Sequence, residues 1–265
     1  MSKLEVLVAC MHQKDDALYR EMNLETDAVF ANQCGEYSYR EYAQDNGCTA
    51  KLVSTQDRGV GRNRNKALSW CSGEYLLFSD QDVIYFDGYS RVIEEAFERY
   101  PKADMLFFNL EYIETDSGIY KRKQNIKYRR VHLWNSMRYG APRIAIKRTS
   151  LEKACLGFSV LYGGGAPYSA GEDALFVRDA MRKGLRAYSV PIAIAKVKQD
   201  ESTWFKGYTE KYFIDKGIWL ANAFPVLKHV FMYYFAYGMR NYSKEYGFFE
   251  ICRLMRKGYR EFKRL

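Results

Sequence analysis

The sequence has no Cys-x-x-Cys pair, no histidine at metal-ligand spacing and no Gly-x-Gly-x-x-Gly turn, and each absence removes a chemistry. Its six cysteines, at 10, 34, 48, 71, 155 and 252, are scattered, so neither zinc binding nor dithiol redox work is expected. They read as reduced, mostly buried thiols of a protein kept in the cytoplasm. A dinucleotide turn should follow the first strand, but that place reads Met11-His12-Gln13-Lys14-Asp15-Asp16. The one Gly-x-Gly, Gly59-Val60-Gly61, has Arg64 where the third glycine belongs, which disfavours hydride transfer. His12, His132 and His229 are isolated from one another, and none has an evident triad partner.

Long uninterrupted apolar runs are also missing. The N-terminal MSKLEVLVAC gives way at once to His12, Gln13 and Lys14, as a first strand does and a signal peptide does not. Trp219 to Tyr237 is mostly apolar, yet Pro225, Lys228 and His229 interrupt it. A charge there would cost a spanning helix about 2.5 to 3.5 kcal/mol, so an interfacial or buried segment is expected instead. No internal repeat or low-complexity stretch is present.

What is there is basic and aromatic. Among 265 residues the net charge is +9, with 23 Tyr and 16 Phe. Lys121 to Arg130 holds six basic residues, and Arg240 to Leu265 holds eight against three acidic ones. Such patches suit anionic partners: nucleic acid, phosphate-bearing substrates or an acidic membrane face. The aromatic content points away from nucleic acid and toward sugar stacking or a membrane interface.

Apolar runs alternate with amphipathic stretches through the first hundred residues, the pattern of an α/β fold with a mostly parallel sheet flanked by helices. The spacing predicts strands at 4–11, 28–32, 50–54, 75–79 and 103–112. Helices are predicted near 15–21, 38–44, 61–71 and 88–100. Residues 116–143 read as an irregular basic connection. A strand over Arg143–Arg148, a helix over Glu172–Lys183 and a last strand over Arg186–Lys198 follow. Residues 1–115 are therefore expected to form a nucleotide-binding half and 116–215 the acceptor-binding and catalytic half of the same domain. Residues 216–265 read as a helical, aromatic and basic extension.

The chemistry is expected at the carboxyl ends of the strands, where open sheets place their ligands. Gly73 to Phe86 (GEYLLFSDQDVIYF) puts Asp80 and Asp82 there. In an extended chain their side chains would share one side, with Gln81 on the other. Two carboxylates that close favour a hard divalent cation, Mg2+ or Mn2+, whose remaining positions are filled by water and phosphate oxygens. Arg58, Arg62 and Arg64 surround the start of a helix, where an anion is stabilised. Ser169-Ala170-Gly171-Glu172 fits a capping box, which accounts for Ser169 and part of Glu172. It does not account for Asp173, which is placed as a general base beside the glycine-rich Tyr162–Ser169 loop. Tyr162, Tyr168, Trp204 and Phe205 offer flat faces for sugar rings.

With these pieces in place the chain resembles the family 2 glycosyltransferases of the A-type nucleotide-diphospho-sugar fold, and within them the bacterial branch that builds capsule or O-antigen repeats. The resemblance rests on LEVLVACMHQKDD, AVFANQC, DRGVGRNRNKAL, FSDQDV and GGGAPYSAGEDALFV, with Asn32-Gln33 and Glu201-Ser202-Thr203-Trp204-Phe205 marking the narrower branch. It implies inverting transfer of a sugar from a nucleotide donor, UDP-linked, to a hydroxyl of a lipid-diphosphate-linked saccharide. Asp82 would bind the metal, and Asp80 the donor ribose or the metal shell. Asp173 would be the base and Glu172 its acceptor-side neighbour. Arg58, Arg64, Asn65 and Gln81 would belong to the donor pocket, while Ala9, Asn32 and Gln33 would line the nucleobase site. Gly164, Tyr168 and Trp204 would meet the acceptor. The chain departs from the family pattern at Asn32-Gln33, where an Asp-Asp is common, and at Lys196-Val197-Lys198, where many members carry a histidine. The Gln-x-x-Arg-Trp signature of processive synthases is absent, so single additions are expected. A location on the inner face of the bacterial cytoplasmic membrane, held by the basic and aromatic tail to anionic lipid, is expected with it.

Two rival readings remain. A non-catalytic nucleotide- or polyanion-binding protein is opposed by cleft carboxylates, which repel phosphates without a metal. A nucleotidyltransferase on a similar sheet would release diphosphate rather than a nucleoside diphosphate.

Overall fold

The computed structural model describes residues 2–112, 123–198, 207–243 and 245–262. The chain divides into two compact units, Met1–Val160 with Glu172–Glu201, and Leu161–Gly171 with Ser202–Leu265.

In the first unit β1 (Leu4–Met11), α1 (Ala17–Glu21), β2 (Asp27–Gln33), β3 (Ser38–Ala43) and β4 (Thr49–Thr55) come first. They are followed by α2 (Val60–Leu68), β5 (Tyr75–Asp80), β6 (Val83–Tyr85), α3 (Tyr89–Arg99) and β7 (Met105–Tyr112). Then come β8 (Arg129–Val131), α4 (Leu133–Ser136), a 3₁₀ turn at Ala141–Arg143, β9 (Ile144–Lys147), α5 (Arg148–Lys153), α6 (Glu172–Arg182) and β10 (Ala187–Val197). Among the described residues these strands make one ten-stranded sheet, ordered β3-β4-β2-β1-β5-β9-β7-β10-β6, with β8 also on β10.

The run β4-β2-β1-β5 is parallel, as the alternation of strands and helices predicts. Beyond β5 the sheet is mixed, because β9 is antiparallel to both its neighbours. Strands buried on both faces need apolar residues at successive positions, and β1 supplies them. Val6, Val8 and Cys10 join the core on one face with Phe30, Leu77 and Ile93. Leu7 joins the core on the other with Val29, Phe78 and Phe176. Helix α3 buries Tyr89, Ile93, Ala96 and Phe97, the spacing of a single apolar stripe. Each such side chain fully buried contributes about 1.5–3 kcal/mol.

One expected helix is a strand. Residues 38–44 carry β3, which pairs antiparallel with β4 from Ser38↔Ser54 to Ala43↔Thr49. The polar and aromatic sequence SYREYA suits an edge strand that is exposed or half-exposed throughout. The deciding signal is Asn46-Gly47 in the turn behind it, with Gly47 at φ 77°, a hairpin signature. Three-residue β6 was too short to stand out in the sequence.

The second unit holds α7 (Glu210–Ala223), α8 (Lys228–Met239) and α9 (Phe248–Phe262). Helices α7 and α9 bury Phe213, Ile218 and Leu220, and Ile251, Leu254 and Met255 respectively, and they pack on each other. Helix α8 buries Met232 and Ala236 and exposes Val230, Tyr233, Tyr234 and Tyr237. No helix among the described residues is long and apolar enough to cross a membrane.

Candidate active site

The site is organised around Arg64. Its helix, α2, comes close to the segment ahead of the Gly-rich loop because residue 61 lacks a side chain. A Cβ there would lie 2.1 Å from the Ser159 carbonyl oxygen. Asn65 closes the contact by donating to the Phe158 carbonyl at 2.8 Å and accepting from its amide at 2.7 Å. Arg64, three residues past Gly61, is thereby carried under the end of β5, with 4% of its surface exposed.

Three carboxylates converge on that guanidinium. Nη2 donates to Asp80 at 2.9 Å, and Nη1 to Asp173 at 2.6 Å and to Glu172 at 3.0 Å. Asp80 is the last residue of β5, while Glu172 and Asp173 open α6. The floor is aromatic. Phe158 lies 5.3 Å below the guanidinium, stacks on Phe176 at 4.3 Å and meets Phe78 edge-on at 4.9 Å.

This dry floor sets the proton affinities. Burial drives the Asp173 carboxyl up to about 7 from an ordinary 3.8. The Arg64 charge opposes that rise, the neighbouring Glu172 and Asp80 charges reinforce it, and the Ala141 amide, donating to the carboxylate, pulls it down. Burial works against the Arg64 charge too, but the attraction of Asp173, Asp80 and Glu172 outweighs it and holds the guanidinium above its ordinary value. Asp173 is thus a carboxylate poised near neutrality, as a general base must be.

Asp82 is not in the extended run, so the alternation argument does not apply to it. The strand ends at Asp80, and Gln81 and Asp82 form the turn into β6. The Asp82 carbonyl accepts from the Lys198 amide at 2.9 Å, which fixes the turn to the end of β10. Gln81 accepts from the Met11 amide at 2.8 Å and so ties the turn to the end of β1.

Among the described residues no group of three or more His, Cys, Asp and Glu side chains is arranged to hold a metal. Asp80 supplies a hard oxygen donor at the strand end, Asp82 follows two residues on in the turn, and Asp80, Glu172 and Asp173 together carry more negative charge than Arg64 offsets. That surplus of negative charge and that donor chemistry fit Mg2+ or Mn2+ held by one or two carboxylates with phosphate oxygens and water.

The other sequence-predicted residues fall in two groups. Ala9 lies near the end of β1. Asn32 bridges the Gln13 backbone and the Ser54 hydroxyl at 2.9 and 3.0 Å, and Gln33 donates to the Gly59 carbonyl at 2.9 Å. Arg58 is exposed before α2. All of these lie in the first unit with Arg64. Gly164 and Tyr168 lie in the second unit, where Tyr168 pairs with Tyr162 at 5.3 Å. Trp204 and Phe205 lie outside the described residues.

Ser169 does not cap α6. The helix begins at Glu172, too late for a cap at 169, and the Ser169 hydroxyl and amide both donate to Asp215. Sequence reasoning missed Phe158 and the Ala141 amide. Neither carries a local signal, because each acquires its role only from chain that is distant in sequence.

Residues 38–161 match the family described as Glycosyl transferase family 2. No curated protein matches the chain by sequence. Among solved structures, TarS 1–349 from S. aureus in complex with UDP-GlcNAc superposes with a TM-score of 0.64 at 16% identity. That match covers 92% of this chain and 74% of that one. The same TarS fragment with UDP gives 0.61 at 16% identity over the same shares. A longer TarS chain gives 0.60 at 15%, covering 91% of this chain and 44% of that one. At these identities the likeness establishes the A-type fold, and within it residues 38–161 carry the match to the family 2 glycosyltransferases.

Proposed function

We propose that the protein transfers one sugar, with inversion, from a UDP-linked donor to a hydroxyl of a lipid-diphosphate-linked saccharide in capsule or O-antigen assembly. The observation that carries this reading is the convergence of Asp80, Glu172 and Asp173 on Arg64 at the carboxyl end of β5. The complexes of the similar TarS fragment with UDP-GlcNAc and with UDP support the donor class.

In this mechanism Asp173 accepts the proton of the acceptor hydroxyl. The oxygen forms its bond to the anomeric carbon as the bond to the departing diphosphate breaks on the opposite face, and the electron pair leaves with the nucleoside diphosphate. Attack opposite the leaving group inverts the configuration. Arg64 keeps Asp173 oriented and offsets charge among the acids, an electrostatic preorganisation of the kind that dominates many enzymes. Asp82 and Asp80 would hold Mn2+ or Mg2+, which would neutralise charge on the departing diphosphate. Ala9, Asn32 and Gln33 line the nucleobase side, and Arg58, Arg64, Asn65 and Gln81 the rest of the donor pocket. Gly164, Tyr168 and Trp204 serve the acceptor.

The exposed tyrosine face of α8 supports a peripheral seat on anionic lipid at the inner face of the cytoplasmic membrane. No acidic residue lies between Asp215 and Glu245, and each Lys or Arg near such a surface contributes about 1 kcal/mol.

The test is a panel of nucleotide sugars and phytanyl-diphosphate-linked saccharides with the product read by NMR. UDP release and an inverted anomeric centre are expected. Release of inorganic diphosphate, or a retained configuration, would overturn the reading. Asp82→Ala should remove the metal-dependent part of UDP affinity, and equal affinity with and without chelator in the parent protein would reject the metal role.

A further inference from the structure

The segment that supplies the Ala141 amide to Asp173 also carries a large side chain with no structural use. Trp134, on α4, is 78% exposed. Its backbone is nevertheless held firmly. The His132 amide donates to Asn135 Oδ1 at 3.0 Å, and the Asn135 amide to the His132 carbonyl at 3.0 Å. Ser136 is fully buried, and α4 packs on α6, the helix that begins with Glu172 and Asp173. Further along, Arg138 donates to Asn125 Oδ1 at 2.9 Å and to the Tyr139 hydroxyl at 2.6 Å, and Tyr139 stacks on Phe107 at 4.0 Å.

Trp134 is therefore an exposed indole on a fixed base. His132 lies nearly parallel to it, with ring centroids 5.4 Å apart and planes 19° apart, so the indole is braced on one side. A lone exposed aromatic is ordinary on a protein surface, but an indole whose backbone and one face are already fixed offers a sugar ring a flat apolar surface with little left to order. Trp134 and Ala141 are seven residues apart, which bounds their separation at roughly 24 Å by chain reach. An acceptor of a few pyranose rings spans that distance.

The charge around the indole has one sign. No acidic residue occurs from Lys123 to Arg143. Arg129 and Arg130, on β8, are both exposed, and among the described residues neither has a carboxylate partner. Side chains alternate along β8, so Arg129 projects to the side of Val131, which packs with Phe176 of α6, and Arg130 to the other. A guanidinium on the side where α4 meets α6 matches a phosphate attached to a sugar, since guanidinium binds phosphate through paired hydrogen bonds.

We propose that Trp134, braced by His132 and accompanied by Arg129, forms an acceptor subsite that stacks a pyranose ring and pairs with a phosphate of the lipid-linked saccharide. The proposal rests on the transferase reading and names the side of that site which takes the acceptor. Indole gives the ring an apolar face, while Arg129 recognises the phosphate whatever sugar follows. The same groups on a second copy of the chain would meet like charge with like.

The experiment uses the full chain and four probes in calorimetric titration. These are phytanyl-diphosphate-linked N-acetylglucosamine, phytanyl-diphosphate-linked galactose, phytanyl diphosphate without sugar, and UDP-GlcNAc. Trp134→Leu should weaken binding of a saccharide-bearing probe about tenfold, a change of a size titration resolves, with sugar-free phytanyl diphosphate unaffected. Trp134→Phe should restore most of the loss. Arg129→Ala should weaken every phytanyl probe, Arg130→Ala on the other side of β8 should not, and UDP-GlcNAc should bind all variants alike. Equal losses from the two arginine variants would overturn the phosphate contact. Unchanged saccharide affinity in Trp134→Leu, an equal loss for the sugar-free probe, or no saccharide binding to the parent protein would each overturn the subsite. Should the saccharide probes bind as expected while no sugar-nucleotide mixture yields UDP, the subsite stands and the transferase reading falls.

Discussion

Two acidic centres, one in each unit, show what distinguishes a carboxylate whose charge is fully met from carboxylates that share too little. In the second unit Asp215 is buried and fully answered: the Ser169 hydroxyl and amide donate to it, and Lys211 approaches at 2.6 Å. One acid meets three donors there. In the first unit the ratio is reversed, with Asp80, Glu172 and Asp173 sharing the single guanidinium of Arg64 over an aromatic floor. The answered acid locks a loop to a helix. The acids that share one guanidinium keep negative charge in excess, which a bound cation or a proton can offset.

The largest break in this comparison comes from Asp173→Asn. Loss of a general base should lower turnover by about 10²- to 10⁴-fold, while donor affinity by calorimetry stays within about twofold. Full turnover in that variant would return Asp173 to the structural class of Asp215. Arg64→Met comes next, because it leaves the buried Glu172 and the partly exposed Asp80 and Asp173 with no counter-charge. A loss toward the lower end of about 3–5 kcal/mol in unfolding free energy is expected by denaturant titration, since solvent screens two of the three acids.

Asp215→Asn should cost less, about 1.5–3 kcal/mol for a hydrogen-bonded charge, and toward the lower end because Lys211 is largely exposed to solvent. Thermal denaturation measures it. The smallest effect is on pH dependence. The Asp173 carboxyl is raised to about 7 and must be ionised to act, so kcat/KM should rise with pH through that region. Glu172→Gln removes a neighbouring negative charge and should move the rising limb to lower pH. For stability the sign is opposite: the folded state holds this proton more tightly than the unfolded chain. The contribution of Asp173 to stability therefore falls as pH climbs from 3.8 toward 7.

The first half of the fold was legible because strands buried on both faces announce themselves. LEVLVACM and YLLFSD have no other reading beside amphipathic neighbours. The edge strand at 38–43 was misread because exposure leaves no apolar alternation to find, and its evidence lay in the Asn46-Gly47 turn instead. At the site, Asp80, Glu172, Asp173 and Arg64 were each visible as chemistry-bearing residues, but their meeting was not. Arg64 and Glu172 are 108 positions apart, and local pattern carries no information over that span. Ser169 shows the converse failure, a good local cap motif overruled by Asp215, 46 positions away.

Helix α2 rests against the Ser159 carbonyl only because Gly61 has a hydrogen where other residues carry carbon. Since the cation on that helix counters the rise that burial imposes on the Asp173 carboxyl, the spacing between two backbones becomes a tuning screw for its proton affinity. Widening it by a single methyl, as in Gly61→Ala, would detune the pH optimum without touching any group that meets substrate.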